Sequence, residues 1–320
     1  MNESSFEKFN YALRPAKNIE RKMLCEAFGR LPRIAPLHSY RYVGFGAIGF
    51  HDFCLFHQRL GISDMVSIEG NEGARDRIIN NIPYSCIQMQ WGMSHQVLPL
   101  LEWTKRTILW LDYERPLDAQ KLEDIAFAAT NVVSGSIVII TVPVDPGKVN
   151  SDENTGDKRL SDLRSRVGRG HVPQNLDGKS LSKWGMAKAV HAIIVNQLKK
   201  TLSDRNAPRE EHDRVKFFQL FNFNYADGTN MLTVGGIFLN TEDASHLSDL
   251  HFKDLAFYRP VDDAYLIDTP LLTQREIHAL DATLPHSAPG VPEPAWIPES
   301  ERLKYGRVYR YFPAFSEVET

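Results

Sequence analysis

Residues Tyr40 to Asn71, YRYVGFGAIGFHDFCLFHQRLGISDMVSIEGN, constrain the fold more than any other stretch of the chain. They read as a short apolar strand (Tyr42, Val43), a turn carrying Gly44, Gly46 and Gly49, an amphipathic helix reaching Leu60, and a second strand ending on Glu69. Glycines let main-chain amides come close to a ligand, and the first turn of a helix has N–H groups without partners. A carboxylate at the tip of the second strand can accept hydrogen bonds from ribose hydroxyls. These parts in this order suit a nucleoside cofactor. They also suit a plain strand–turn–helix whose glycines only allow tight packing.

Beyond this seed the pattern alternates strand and helix with short links, as in a mostly parallel sheet covered on both faces. Strands are expected at Tyr42–Phe45, Met65–Glu69, Cys86–Gln90, Thr107–Leu111 and Ser136–Val142, with helices at Glu72–Asn80, Ser94–Thr104 and Asp118–Val133 between them. A long helix, Leu181–Leu202, precedes two β-rich runs, Val215–Tyr225 and Met231–Asn240. The Asp227-Gly228 link between those runs signals a hairpin. The expected fold class is α/β: a Rossmann-like, doubly wound sheet of about seven strands, mostly parallel, with an antiparallel C-terminal hairpin.

Three segments lie outside that alternation. Residues 1–35 read as an N-terminal helical extension, with Asn18 as the expected cap of a helix through Phe28 and a basic cluster of Arg14, Lys17, Arg21 and Lys22. That cluster is a solvated helix face or a patch for a phosphate-bearing substrate. Within the domain expected at 36–245, residues 145–179 are poor in large apolar side chains and are read as a mobile lid insertion with a short helix near Leu160–Val167. Residues 246–320 read as an irregular, proline-bearing C-terminal extension packed on the domain.

A net charge of −3 gives no global signal for nucleic acid, although a local patch is compatible with it. Cys25, Cys54 and Cys86 are widely spaced in apolar contexts and read as buried thiols. With no membrane-length apolar run and no signal-peptide pattern at the start, a cytoplasmic protein is expected. No histidine spacing suggests a metal site, and neither a G-x-S-x-G elbow nor a G-K-[ST] phosphate loop occurs.

Gly44-Phe45-Gly46-Ala47-Ile48-Gly49 matches the G-x-G-x-x-G spacing of dinucleotide sites, which keeps an NAD(P)-dependent oxidoreductase in view. Against it, no second mononucleotide half is visible, and the helix opens with bulky Phe50, His51 and Phe53. The layout from Arg41 to Asn240 instead resembles the class I S-adenosylmethionine-dependent methyltransferase superfamily. VGFGAIG resembles its glycine motif, SIEGN its acidic end of strand two, ARDRIINN its second helix and LWLDYE its fourth-strand motif.

The resemblance implies S-adenosylmethionine as cofactor. It would be held by Gly44, Phe45, Gly46, Ala47 and Gly49, by Glu69 and Gly70 at the ribose, by Gln90, Trp91 and Gly92 around the adenine, and by Asp112. The carboxylates of Asp112 and Glu114 are the candidate catalytic groups. Tyr113, Arg159, Arg164, Arg166, Arg169, His171 and Trp184 are the candidate contacts of an unidentified acceptor, a small molecule or nucleotide-like group, and the arginines of the lid are compatible with negative charge on it. The chain departs from the superfamily in carrying Arg41 and Tyr42 where an acid usually precedes the glycines. It also lacks an Asn/Asp-Pro-Pro-aromatic sequence after strand four, and no metal is expected. A non-catalytic protein of the same fold that only holds the cofactor is the alternative reading.

Overall fold

The computed structural model describes residues 14–146, 155–285 and 293–313. Its centre is one sheet of eight strands in the order β3-β2-β1-β4-β5-β7-β6-β8. Strands β1 (Arg41–Gly44), β2 (Asp64–Glu69), β3 (Ile87–Trp91), β4 (Thr107–Asp112) and β5 (Ile137–Pro143) are parallel. Between them run α2 (His51–Leu60), α3 (Arg75–Ile79), α4 (Ser94–Val97) and α5 (Ala119–Asn131), and α1 (Pro15–Phe28) precedes them all. After β5 come α6 (Thr155–Val167) and α7 (Gly185–Asn206), then β6 (Lys216–Ala226) and β7 (Asn230–Leu239). Strand β7 inserts antiparallel between β5 and β6, so the hairpin anticipated at Asp227-Gly228 reverses the sheet at its end. A nicotinamide fold would continue with parallel strands at that point.

The C-terminal portion contains α8 (Thr241–Ser245), β8 (Tyr265–Ile267), α9 (Gln274–Asp281) and α10 (Glu299–Val308). Read as irregular from its prolines, this portion adds the eighth strand, since β8 pairs in parallel with β6 at Phe223–Tyr225. Three residues of alternating burial are too short a pattern to separate from loop in a sequence.

Successive strand residues point to opposite faces, and each face has its own apolar layer. Tyr42, Met65, Ile108 and Trp110 look toward α1, α2 and the C-terminal segment, through Met23, Phe28, Phe53 and Phe56. Val43, Val66, Leu109, Leu111 and Val138 look toward α5, α6 and α7, through Leu122, Ile125, Leu163, Val190 and Ile194. Helix α6, in the stretch read as a lid, buries Leu160, Leu163 and Val167 in this second layer.

Two helix ends differ from expectation. Helix α1 starts at Pro15 rather than after Asn18, because proline at the first position needs no N–H partner and the cap arrives from elsewhere in the fold. The carboxylate of Asp227, in the β6–β7 turn, accepts from the amides of Lys17 (2.9 Å) and Ala16 (3.4 Å). Helix α4 is only one turn long, continuing as a 3-10 turn over Leu98–Leu100 that ends before Leu101, where a helix to Thr104 was expected. Pro99 lacks the donor that a longer helix requires.

Candidate functional site

Neighbouring parallel strands deliver their carboxyl ends to one edge, and in this sheet β2, β1 and β4 are neighbours. That edge therefore carries Glu69, the glycine turn and Asp112 side by side. Gly44 lies opposite Ser67, whose Oγ accepts from the Gly46 amide at 3.0 Å and stitches the turn to β2. A Cβ on Gly46 would sit 2.5 Å from the ring of Phe50, so only glycine fits there. Ala47 and Phe50 both take a left-handed φ of 45°, a costly backbone held by its surroundings. Phe50 is buried and offers α2 no side-chain cap, and in the first turn the buried Asp52 carboxylate accepts from its own amide.

At the tip of β2, Glu69 Oε1 accepts from the Asn71 amide at 2.7 Å. Burial pushes the Glu69 carboxyl up from its ordinary value, and the nearby Glu114 carboxylate pushes it further in the same direction. The Gly92 amide donates to the Glu69 carbonyl at 2.9 Å, so the end of β3 is tied to the end of β2. This brings Trp91 and Gly92 beside Glu69, with the Arg75 guanidinium 4.3 Å from the Trp91 ring centre. Met93 closes over the same spot: a Cβ on Gly70 would lie 2.7 Å from its Sδ, yet the residue is 55% exposed. Nothing in the sequence singled out Met93 except its place just after Gly92.

Asp112 has a different setting. Its Oδ2 accepts from the Lys17 ammonium at 2.8 Å, and Lys17 is only 4% exposed. The same ammonium donates to Glu20 Oε2 (2.8 Å) and to the Tyr225 hydroxyl (3.1 Å), and stands 4.4 Å from the Trp110 ring centre. Burial lowers the Lys17 pKa, but Asp112 and Glu20 more than reverse this, so the group is held above its ordinary value. Glu20, fully buried, also accepts from the hydroxyls of Tyr225 (3.1 Å) and Thr233. Burial pushes its carboxyl up, against the pull of Lys17. A solvated face for the α1 basic cluster is thus overturned at Lys17 and Arg21, both buried. Tyr42, standing where an acid was missed before the glycines, donates its hydroxyl to the buried carboxylate of Asp52.

The other predicted residues divide. Tyr113 is turned away from Asp112 into the opposite layer, where its hydroxyl donates to Asp124 at 2.7 Å and its ring lies 5.5 Å from that of Phe45. Arg159 donates to the Pro146 carbonyl (2.8 Å), and Arg166 to the Leu117 carbonyl (3.0 Å) and to Asp162 (2.9 Å); both fasten the insertion to its neighbours. Arg169 is exposed, and Arg164 and His171 are half-buried. Trp184 sits at the start of α7, half-buried against the second apolar layer. Among the described residues no three His, Cys, Asp or Glu side chains are grouped to hold a metal ion, and no helix is long and apolar enough to cross a membrane.

A family model described as "Putative O-methyltransferase" matches residues 9–320. No curated protein matches the sequence. Among solved structures, Trm1 from Pyrococcus horikoshii with S-adenosyl-L-methionine overlaps at 11% identity and a TM-score of 0.43, covering 70% of this chain and 55% of its own, so the chain spans about half the length of Trm1. TYW2 of M. jannaschii with AdoMet overlaps at 12% identity and TM-score 0.40, covering 73% of this chain and 79% of its own. The O-methyltransferase from Bacillus cereus with SAH does so at 12% and 0.34, covering 66% and 80%. These overlaps are too loose for anything those proteins bind or modify to be carried over.

Proposed function

The chain belongs to the Putative O-methyltransferase family, and from that premise we propose that it transfers the methyl group of S-adenosylmethionine to an oxygen or nitrogen of an anionic, nucleotide-like acceptor. By family and by its reversed β7 it is a member of the class I S-adenosylmethionine-dependent methyltransferase superfamily. One observation carries the cofactor reading: the ends of β2, β1 and β4 set Glu69, a glycine-rich turn and Asp112 along one edge, where open α/β sheets take ligands.

The residues there fit the group. A carboxylate has about four lone-pair sites, so Glu69 can accept from ribose hydroxyls while it holds the Asn71 amide. Met93, exposed beside Gly70, is an apolar shelf of the kind a purine ring needs. When bound, the cofactor supplies an electrophilic methyl carbon on a sulfonium. The chain's task is then alignment, with one proton to remove from a hydroxyl or amine acceptor. Asp112 and Glu114 are the carboxylates for that proton; Arg164, Arg169 and His171 answer the acceptor's charge. Arg159 and Arg166 anchor the segment that presents them.

Calorimetry with S-adenosylmethionine, S-adenosylhomocysteine and NAD tests the cofactor. The first two should bind and NAD should not, and Glu69→Ala should weaken binding at least about tenfold, the cost of a lost charged hydrogen bond. Tritium transfer from the labelled methyl group into a cell extract tests catalysis. Binding with no labelled fraction would leave a protein that only holds the cofactor.

A further inference from the structure

We infer that Lys17 and Glu20 of α1 are positioning residues for Asp112, and that this buried pair sets the net charge the site presents to the cofactor's sulfonium. The inference rests on the cofactor reading above and adds to it two residues from a helix outside the strand–helix alternation.

Hydrogen-bond directions in the cluster are forced. An indole N–H can only donate and a carboxylate can only accept. Trp110 Nε1 therefore donates to Thr141 Oγ1 (3.0 Å), Thr141 donates to Thr233 Oγ1 (2.7 Å), and Thr233 donates to Glu20 Oε1. On the other oxygen Glu20 accepts from Tyr225 and from Lys17. The relay crosses β4, β5, β7 and β6, so four strands aim one carboxylate at one ammonium. That ammonium has three protons, and Glu20, Tyr225 and Asp112 take all three. Lys17 accordingly has none for a substrate. It acts through Asp112, fixing where that carboxylate points and offsetting its charge.

The consequence is electrostatic. S-adenosylmethionine carries a sulfonium charge that its product, S-adenosylhomocysteine, lacks. An unscreened Asp112 would favour the cationic cofactor over the neutral thioether. Lys17 offsets that preference and Glu20, on the same ammonium, partly restores it, so the cluster keeps a net negative charge and removing either member of the pair moves the preference in opposite directions.

The test measures the ratio of dissociation constants for S-adenosylhomocysteine and S-adenosylmethionine by calorimetry at pH 8, on the full chain. Lys17→Met should shift the ratio several-fold toward S-adenosylmethionine, since it removes the ammonium that offsets the Asp112 carboxylate. Glu20→Gln, which keeps the shape and most hydrogen bonds, should shift it several-fold the other way. Lys17→Arg should restore the parent ratio. Opposite signs from adjacent substitutions are not a result that loss of structure can produce, and Glu20→Gln carries the test if Lys17→Met does not fold. Ratios within twofold of the parent for both variants would overturn the inference while leaving the cofactor assignment intact. Failure of the parent protein to bind either compound would instead remove the cofactor assignment.

Discussion

Two basic clusters look alike in the sequence and end in opposite environments. The α1 cluster enters the interior: Lys17 and Arg21 are buried, and the Lys22 ammonium donates to the Phe312 carbonyl at 3.1 Å. The α6 cluster stays nearer the surface, with Arg166 26% exposed at its side chain and Arg169, just past the helix, exposed. The cause is the apolar partner of each helix. Helix α1 buries Ala16, Ile19, Met23, Leu24 and Ala27 against the sheet, a stripe wide enough to carry flanking residues 17, 20 and 21 inside with it. Helix α6 buries only Leu160, Leu163 and Val167, and Arg159, Arg164 and Arg166 stay half-buried at its flanks. Long charged side chains report nothing about burial until the stripe beside them is matched to a surface.

Substitutions can break this contrast. The largest effect is expected from Lys17→Met, which strands the Glu20 carboxylate in the core: about 3–5 kcal/mol lost in urea denaturation, against no more than about 0.5 kcal/mol for Arg164→Ala. A loss at Lys17 below about 1 kcal/mol would put the two clusters in one class. Tyr42→Phe comes next, since it removes the donor to the buried Asp52 carboxylate, at about 1–3 kcal/mol. Arg166→Ala should cost about 1 kcal/mol through the Leu117 carbonyl, visible as a lower denaturation midpoint with an unchanged slope.

The smallest effect sharpens the comparison with a surface carboxylate at the opposite edge of the sheet. Burial pulls the Asp64 carboxyl up, but Lys105 (2.8 Å) and Arg41 (3.1 Å) outweigh it and hold its pKa below the ordinary value. A depressed folded pKa contributes stability that is present above the unfolded carboxylate pKa and is lost as pH falls through the folded one. Asp64→Asn should flatten that part of the acid limb by less than about 1 kcal/mol, because the pair is screened by solvent. A larger change in stability between pH 5 and pH 2 would show the pair to be better shielded than its exposure indicates.

Much of the fold was legible in the residues. Five apolar runs separated by amphipathic helices, and Asp-Gly between two β-rich runs, are local patterns, and local patterns survive into the structure. The glycine turn, Glu69 and Asp112 could be found for the same reason: each is the terminus of a recognisable strand. Strand β8, the one-turn α4 and the start of α1 could not, because a three-residue pairing, a proline-limited turn and a cap supplied by Asp227 have no local period.

From its own order of residues, then, this chain determines a parallel sheet with a reversed end and a side-chain-poor edge flanked by acids, since periodicity and turn chemistry act over a few positions. Only the tertiary structure decided that Asp112 would meet Lys17, that Tyr113 would turn away to Asp124, and that Met93 would cover Gly70. Those contacts join residues far apart in the chain, and a buried charge finds its partner only once both have been carried out of water by the packing of everything around them.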